Sequence, residues 1–167
     1  GNCVPSPGRT PQALAPTALE LARRDRAWQI AASHFYAARY DEAERAFRAI
    51  AADDGSPFAQ LARYLVVRTL ARAAQRAGVA PDAEVLTRAE QEADAILADA
   101  NADAVHAMTR RYRDWVRAQR DPAGRARELG VALSRVDADF EAHLRDYVRL
   151  LDTTAPAGVT VTSTTGG

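Results

Sequence analysis

Apolar residues recur three and four positions apart in one short segment of this chain after another. That spacing places them on one face of an α-helix. One clear example is the set Phe58, Leu61, Ala62, Leu65, Thr69, Ala73 and Ala77. Sustained alternation of the β-strand type is missing, and only a few residues separate successive segments. Because short connections make neighbouring helices antiparallel, the sequence predicts an all-α fold of about seven or eight helices in antiparallel hairpins.

The composition narrows the class of protein further. Alanine supplies nearly half of the 47% of residues that are hydrophobic, and it favours helix because it loses no side-chain entropy. All 22 basic residues are arginine and balance 22 acidic residues, so the formal net charge is zero. This balance argues against binding of nucleic acid or an anionic membrane through overall charge. Abundant alanine and arginine without lysine is typical of a GC-rich bacterial genome.

Three regions follow along the chain. Residues 1–16 contain four of the eight prolines and are predicted to form an extended leader. Residues 17–152 carry the helical periodicity and form the expected domain. Residues 153–167 are low in complexity and are predicted to be disordered. Without an apolar run of about 18 residues, the sequence predicts no membrane span. Periplasmic, cell-envelope and cytoplasmic locations all remain open.

Aspartates mark several expected helix starts, because their side chains accept hydrogen bonds from unpaired backbone N–H groups. Asp82 follows a proline, Asp121 precedes one, and Asp25 precedes an apolar stripe. Asp41 with Glu44 fits a capping box. We therefore expect new helices to begin at these four positions.

One hairpin, over residues 28–57, has a more specific pattern. It contains Trp28, Ala31-Ala32, Phe35, Tyr40-Asp41-Glu42-Ala43, Phe47, Ile50 and Pro57. This segment resembles a tetratricopeptide repeat, which places aromatic and small residues at these spacings and has a Tyr-Asp-Glu-Ala turn. The turn is one residue short, Ala38-Arg39 stands where the family prefers glycine, and the proline comes two residues late. Residues 58–100 match the motif of this family only faintly, and residues 103–152 share with it only a helical architecture.

The resemblance implies both a fold and a binding surface. The hairpins would stack as a short tetratricopeptide-like α-solenoid, similar to segments of large bacterial repeat proteins, with an irregular bundle as the alternative. Peptide ligands of that family lie against one side of the first helix of each unit. The matching positions here are Arg26, Gln29, Ser33 and Tyr36, which form a candidate peptide groove.

A second candidate surface is an arginine stripe formed by Arg110, Arg113, Arg117 and Arg120. At about 100° per residue these side chains share one arc of a helix, away from its apolar residues Met108, Tyr112 and Trp115. Arginine suits carboxylates and phosphates, so an acidic peptide is favoured over nucleic acid as its ligand. The ordinary alternative is a solvated face whose arginines pair with acidic residues such as Asp114, Asp121 and Glu128.

No pattern indicates catalysis, a metal or a cofactor. His34, His106 and His143 lack close metal-binding spacing, Cys3 has no neighbouring base, and no glycine-rich phosphate loop is present. The sequence thus predicts a non-enzymatic module that binds a protein or peptide partner. A purely structural segment of a larger protein and an anion- or nucleic-acid-binding domain are the alternatives, and an enzyme using Cys3 or a histidine is least favoured.

Overall fold

A computed structural model describes residues 10–75 and 79–154. Over these ranges the chain is helical, without strands: α1 Glu20–Tyr36, α2 Tyr40–Ala51, α3 Ala59–Ala73, α4 Ala83–Ala98, a one-turn 3-10 helix Ala100–Ala102, α5 Asp103–Arg120, α6 Pro122–Leu133 and α7 Phe140–Thr154. The predicted all-α class is confirmed. Residues 10–15 of the leader are non-helical, whereas α7 runs two residues into the predicted tail. Cys3 and residues 155–167 lie outside the described residues.

Two of the predicted helix starts are confirmed. Asp82 accepts hydrogen bonds at 3.0 and 3.1 Å from two backbone N–H groups in the first turn of α4. Asp121 accepts one at 2.8 Å from Gly124 and has a proline directly after it at the start of α6. In both cases the aspartate satisfies backbone donors that the helix itself leaves unpaired.

The other two predicted starts are wrong. Asp25 lies inside α1, which continues through it from Glu20. The residue at the N-cap of α2 is Arg39, and no side chain caps that helix. Glu44 is not part of a capping box, because its carboxylate forms ion pairs with arginines of α2 and α4. The Glu44 carboxylate therefore stabilises helix contacts rather than the start of α2.

The turn between α1 and α2 contains a residue with left-handed backbone, Ala38, at φ 57°. The Ala38 N–H donates to the Phe35 carbonyl at 3.1 Å, and the Arg39 N–H donates to the His34 carbonyl at 2.9 Å. These two bonds form a Schellman motif, in which glycine usually occupies the left-handed position because it has no Cβ. Alanine at this position therefore costs conformational energy.

Helices α1 to α5 belong to one compact unit, residues 1–120. Each helix packs on the next, and α3 also packs on α5. Large anchors lie among fully buried alanines, and the buried set includes Ala31, Ala43, Phe47, Ala62, Val66, Val67, Leu70, Leu86, Ala89, Ala93, Ile96, Val105 and Val116. Trp28 lies 5.7 Å from Phe47 and 5.0 Å from Phe58, measured between ring centroids. Small alanines thus allow close helix contact while aromatic rings fill the remaining space.

Ion pairs join α2 to α4 across the unit. Glu44 pairs with Arg48 at 2.9 Å and with Arg88 at 3.0 Å, and Arg48 also pairs with Glu92 at 2.6 Å. Two of the four side chains come from α2 and two from α4, helices that are not adjacent in sequence. This network therefore gives α2 and α4 a shared charged surface.

Two further ion pairs hold helix ends and connections. A side-chain hydrogen bond from Arg24 lowers the pKa of Asp53, and the two groups lie 2.8 Å apart. A hydrogen bond from Arg63 similarly lowers the pKa of Asp99, at 2.5 Å. Both carboxylates therefore stay ionised at a lower pH than an ordinary aspartate.

The second compact unit comprises residues 121–167, with α6 and α7 packed on each other. Leu129 and Leu150 are buried, whereas Leu144, Val148 and Leu151 are between 44% and 49% exposed. No helix in the described ranges is both long and apolar enough to cross a membrane.

Candidate functional site

An open pocket that could take a ligand lies between α3 and α5 in the first unit and is here called the α3–α5 pocket. Its volume is about 550 Å³, and its lining residues are Tyr64, Arg72, Met108, Arg111, Tyr112 and Trp115. The lining combines apolar and aromatic surface with two guanidinium groups, and no acidic residue is among the six. Pockets with mostly apolar walls and a few placed polar groups are typical ligand sites.

The wall from α3 follows directly from helical spacing. Tyr64, Arg68 and Arg72 are four positions apart, so they lie along one face of α3. The opposite sides of this helix are buried against its neighbours, as Val66, Val67 and Thr69 illustrate. The arginine- and tyrosine-bearing face is therefore the part of α3 left available to solvent.

The wall from α5 is built in the same way. Arg111 and Tyr112 lie three and four positions after Met108, and Trp115 lies four and three positions after them, so all four share one face. The Tyr112 and Trp115 rings lie 5.2 Å apart, and Tyr112 meets Tyr64 of α3 edge-on at 6.0 Å. Met108 remains 38% exposed. These aromatic contacts fix the shape of the pocket and leave the methionine available to a ligand.

Arg68 lies at the centre of an aromatic cluster beside the pocket. Its guanidinium carbon is 5.6 Å from the ring centroid of Phe35, 5.9 Å from that of Tyr64 and 5.8 Å from that of Tyr112. Each ring face attracts the cation, by about 0.5–1 kcal/mol at an exposed site. Since the rings belong to α1, α3 and α5, this arginine joins the three helices and is held in a fixed position.

The charges around Tyr64 act in opposite directions on its phenol. Burial raises the pKa of Tyr64, and the positive charges of Arg68 and Arg111 lower it to a smaller extent. Within the described part of the chain, Arg68, Arg72 and Arg111 have no ion pair with an acidic residue. The neighbourhood of the pocket therefore carries an uncompensated positive charge.

The candidate peptide groove of α1 is only partly joined to this pocket. The Tyr36 side chain is 75% exposed, and its ring lies 5.5 Å from that of Phe35, which faces Arg68. Gln29 is exposed and Ser33 half-buried, and neither lines the pocket. The structure thus brings Tyr36 close to the aromatic cluster and leaves the other predicted groove residues elsewhere on α1.

The leader contacts α1 and the turn that follows it. Arg26 donates a hydrogen bond at 3.1 Å to the carbonyl of Gln12, and Arg39 donates one to the hydroxyl of Thr10. These contacts hold non-helical backbone against arginines at and just beyond α1. A peptide carbonyl is therefore already among the groups that Arg26 binds.

The arginine stripe is largely used inside the protein. Glu90 of α4, whose side chain is 10% exposed, pairs with Arg117 at 2.6 Å and with Arg120 at 2.9 Å. Arg113 pairs with Asp94 at 3.0 Å and, more weakly, with Asp114 at 3.5 Å. Arg110 is exposed. The stripe therefore consists mainly of ion pairs between α4 and α5, and of the partners proposed from the sequence Asp114 takes part through Arg113.

The histidines do not come together. They lie on α1, α5 and α7, and the Nε2 of His106 is 3.0 Å from the carbonyls of Ile96 and Asp99 at the end of α4. A ring N–H there links the first turn of α5 to the end of α4, at two carbonyl groups that also accept backbone N–H groups. Across residues 10–75 and 79–154, no three His, Cys, Asp or Glu side chains gather as a group able to hold a metal ion.

The α3–α5 pocket itself was not predicted. Met108, Tyr112 and Trp115 were assigned to the apolar face of their helix, and Arg72 and Arg111 were not singled out. The available signal was the spacing of Tyr64, Arg68 and Arg72, an unusually polar face on an otherwise apolar helix. Comparison of the chain with protein-family models, with curated proteins and with solved structures returned no match.

Proposed function

We propose that the chain is a non-catalytic scaffold module of tetratricopeptide-like type that binds a protein or peptide partner. The observation that carries this proposal is the α3–α5 pocket, which is open, aromatic and bordered by arginines that have no ion pair with an acid in residues 10–75 and 79–154. Aromatic side chains and arginine are enriched at protein interfaces because they provide large contact areas and directed hydrogen bonds.

The arrangement of helices supports the same proposal. α1, α3 and α5 share the aromatic cluster around Arg68, whereas α2 and α4 share the ion network around Glu44 and Arg48. Alternate helices therefore contribute to two different surfaces, as in a stack of hairpins. The left-handed backbone at Ala38 adds to the resemblance, since it occurs where the repeat family prefers glycine.

Selection from a random library of peptides of about 12 residues, followed by NMR, tests the proposal. The chain has two tryptophans, so its spectrum offers two indole N–H signals. Trp115 lines the pocket, whereas Trp28 packs against Phe47 and Phe58 and serves as the internal control. We expect selected peptides to shift the Trp115 signal and to leave that of Trp28 in place.

A variant pair makes the experiment specific to the pocket. Met108→Gln changes an exposed lining residue, whereas Arg110→Gln changes an exposed residue on the opposite side of the same helix. We expect M108Q to weaken binding by about tenfold and R110Q to change it by less than about twofold. If no selected peptide moves the Trp115 signal, the binding function is refuted and the purely structural alternative gains.

A further inference from the structure

The charge of the α3–α5 pocket is unlike that of the side of α5 that faces α4. The chain as a whole is neutral, with 22 basic and 22 acidic residues. On the side of α5 that faces α4, Arg113, Arg117 and Arg120 are neutralised by acids of α4. In and beside the pocket, by contrast, none of the described arginines has an acidic partner. A concave surface with positive charge of this kind concentrates anionic ligands.

The remaining lining is apolar, so charge alone does not describe the ligand. Met108, Tyr112 and Trp115 offer a methyl group and two aromatic rings within the same pocket. Flexible thioether groups and rigid rings both bind apolar side chains well. A ligand that satisfies the pocket therefore carries an apolar group next to an anionic one.

Building on the proposed function, we propose that the α3–α5 pocket binds an acidic peptide segment in which a carboxylate stands beside an aromatic or aliphatic side chain. Arg72 and Arg111 are exposed, and each can present a two-pronged guanidinium to a carboxylate. Arg68, held between three rings, contributes a fixed positive charge without being free to move. The apolar side chain of the ligand packs on Met108 and the neighbouring rings.

The distribution of charge favours a peptide over nucleic acid. Binding along a nucleic acid backbone uses a track of unpaired cations, one for each phosphate contacted. Here two exposed arginines, Arg72 and Arg111, lie at one pocket, and the arginines from Arg113 onward along α5 are held in ion pairs with Asp94 and Glu90. One or two carboxylates match this local charge.

The test uses the full chain and peptides selected from the random library. We expect these peptides to be enriched in Asp and Glu next to Phe, Trp, Leu or Ile. Replacing the acids of a selected peptide by Asn and Gln keeps its shape and removes its charge. We expect this replacement to weaken binding by about tenfold or more, as measured by fluorescence anisotropy.

Two double variants with equal change of charge locate the effect. Arg72→Gln/Arg111→Gln removes the exposed pocket arginines, and Arg45→Gln/Arg110→Gln removes two exposed arginines outside it. The pocket variant should weaken binding of the acidic peptide by about tenfold and change binding of its amide counterpart by less than about twofold. The control variant should change binding of either peptide by less than about twofold. Circular dichroism of both variants confirms that they are folded.

The outcomes separate this inference from the proposed function. Some peptides could move the Trp115 indole signal and bind equally well after their acids are replaced by amides. That result would overturn the inference of an acidic ligand and would still support the proposed binding function. A single-stranded oligouridine that binds the pocket more tightly than the acidic peptide would overturn it in favour of nucleic acid. Peptides that leave the Trp115 signal unmoved would refute the proposed function itself.

Discussion

The pair of arginines around Glu90 provides the sharpest test of what holds α4 and α5 together. The Glu90 side chain is 10% exposed and binds Arg117 at 2.6 Å and Arg120 at 2.9 Å. Hydrogen bonds to charged groups contribute about 1.5–3 kcal/mol each. The arginines are 31% and 36% exposed, so water replaces part of the lost interaction. We therefore expect Glu90→Gln to lower the free energy of unfolding by about 2–3 kcal/mol.

Glu92→Gln is the matched control, because it removes the same charge from the same helix. Glu92 pairs with Arg48 at 2.6 Å, but the two side chains are 36% and 43% exposed. Pairs exposed to this degree contribute about 0.2–1 kcal/mol, and salt screens them. The shortest distance is equal in the two cases, so the deeper burial of Glu90 and its second arginine partner together predict the larger effect there.

Urea unfolding followed by tryptophan fluorescence measures both variants. Trp28 and Trp115 both belong to the unit of residues 1–120, so the signal reports on the unit that contains Glu90. We expect added sodium chloride to reduce the effect of E92Q more than that of E90Q. Equal losses of stability for the two variants, or a gain of stability for E90Q, would refute the reasoning from burial.

Three further predictions concern the left-handed residue Ala38, two ion-paired aspartates and the phenol of Tyr64. Ala38→Gly should raise the unfolding free energy by about 0.5–1 kcal/mol, since φ there is positive, whereas Ala37→Gly should lower it by a similar amount; urea titration checks both. The pKa values of Asp53 and Asp99 are lowered in the fold, so their contribution to stability is complete above about pH 4 and is lost as the pH falls through the folded pKa. Unfolding of D53N/D99N should therefore depend less steeply on acid pH than that of the wild type, and an equal slope would contradict this. The pKa of Tyr64 is raised, so the wild-type minus Tyr64→Phe absorbance difference at alkaline pH should titrate above about pH 10.

Local patterns predicted the helices because the signals are themselves local. A spacing of three and four residues identifies a buried face without knowledge of what covers it. Asp82 and Asp121 cap backbone groups within three residues, so their roles followed from the sequence. Asp25 failed as a start because α1 already begins at Glu20 and runs through it.

In helix α3, helical spacing predicted only part of the buried surface. Its predicted stripe included Ala62 and Thr69, which are buried, but Val66, Val67 and Leu70 are buried as well. The reason is that α3 packs on α2, α4 and α5, so more than one of its faces is covered. What remains exposed, and so forms the pocket, depends on where those three neighbours lie.

The sequence by itself determined an all-α chain of short helices, because periodicity and capping act within a few residues. Only the tertiary structure decided which arginines are free to bind a ligand. Arg117 meets Glu90 across 27 positions of sequence, and the pocket joins Tyr64 to Tyr112. Such partners depend on how each helix is rotated against its neighbour, and that rotation is set by packing of the whole core rather than by any one segment.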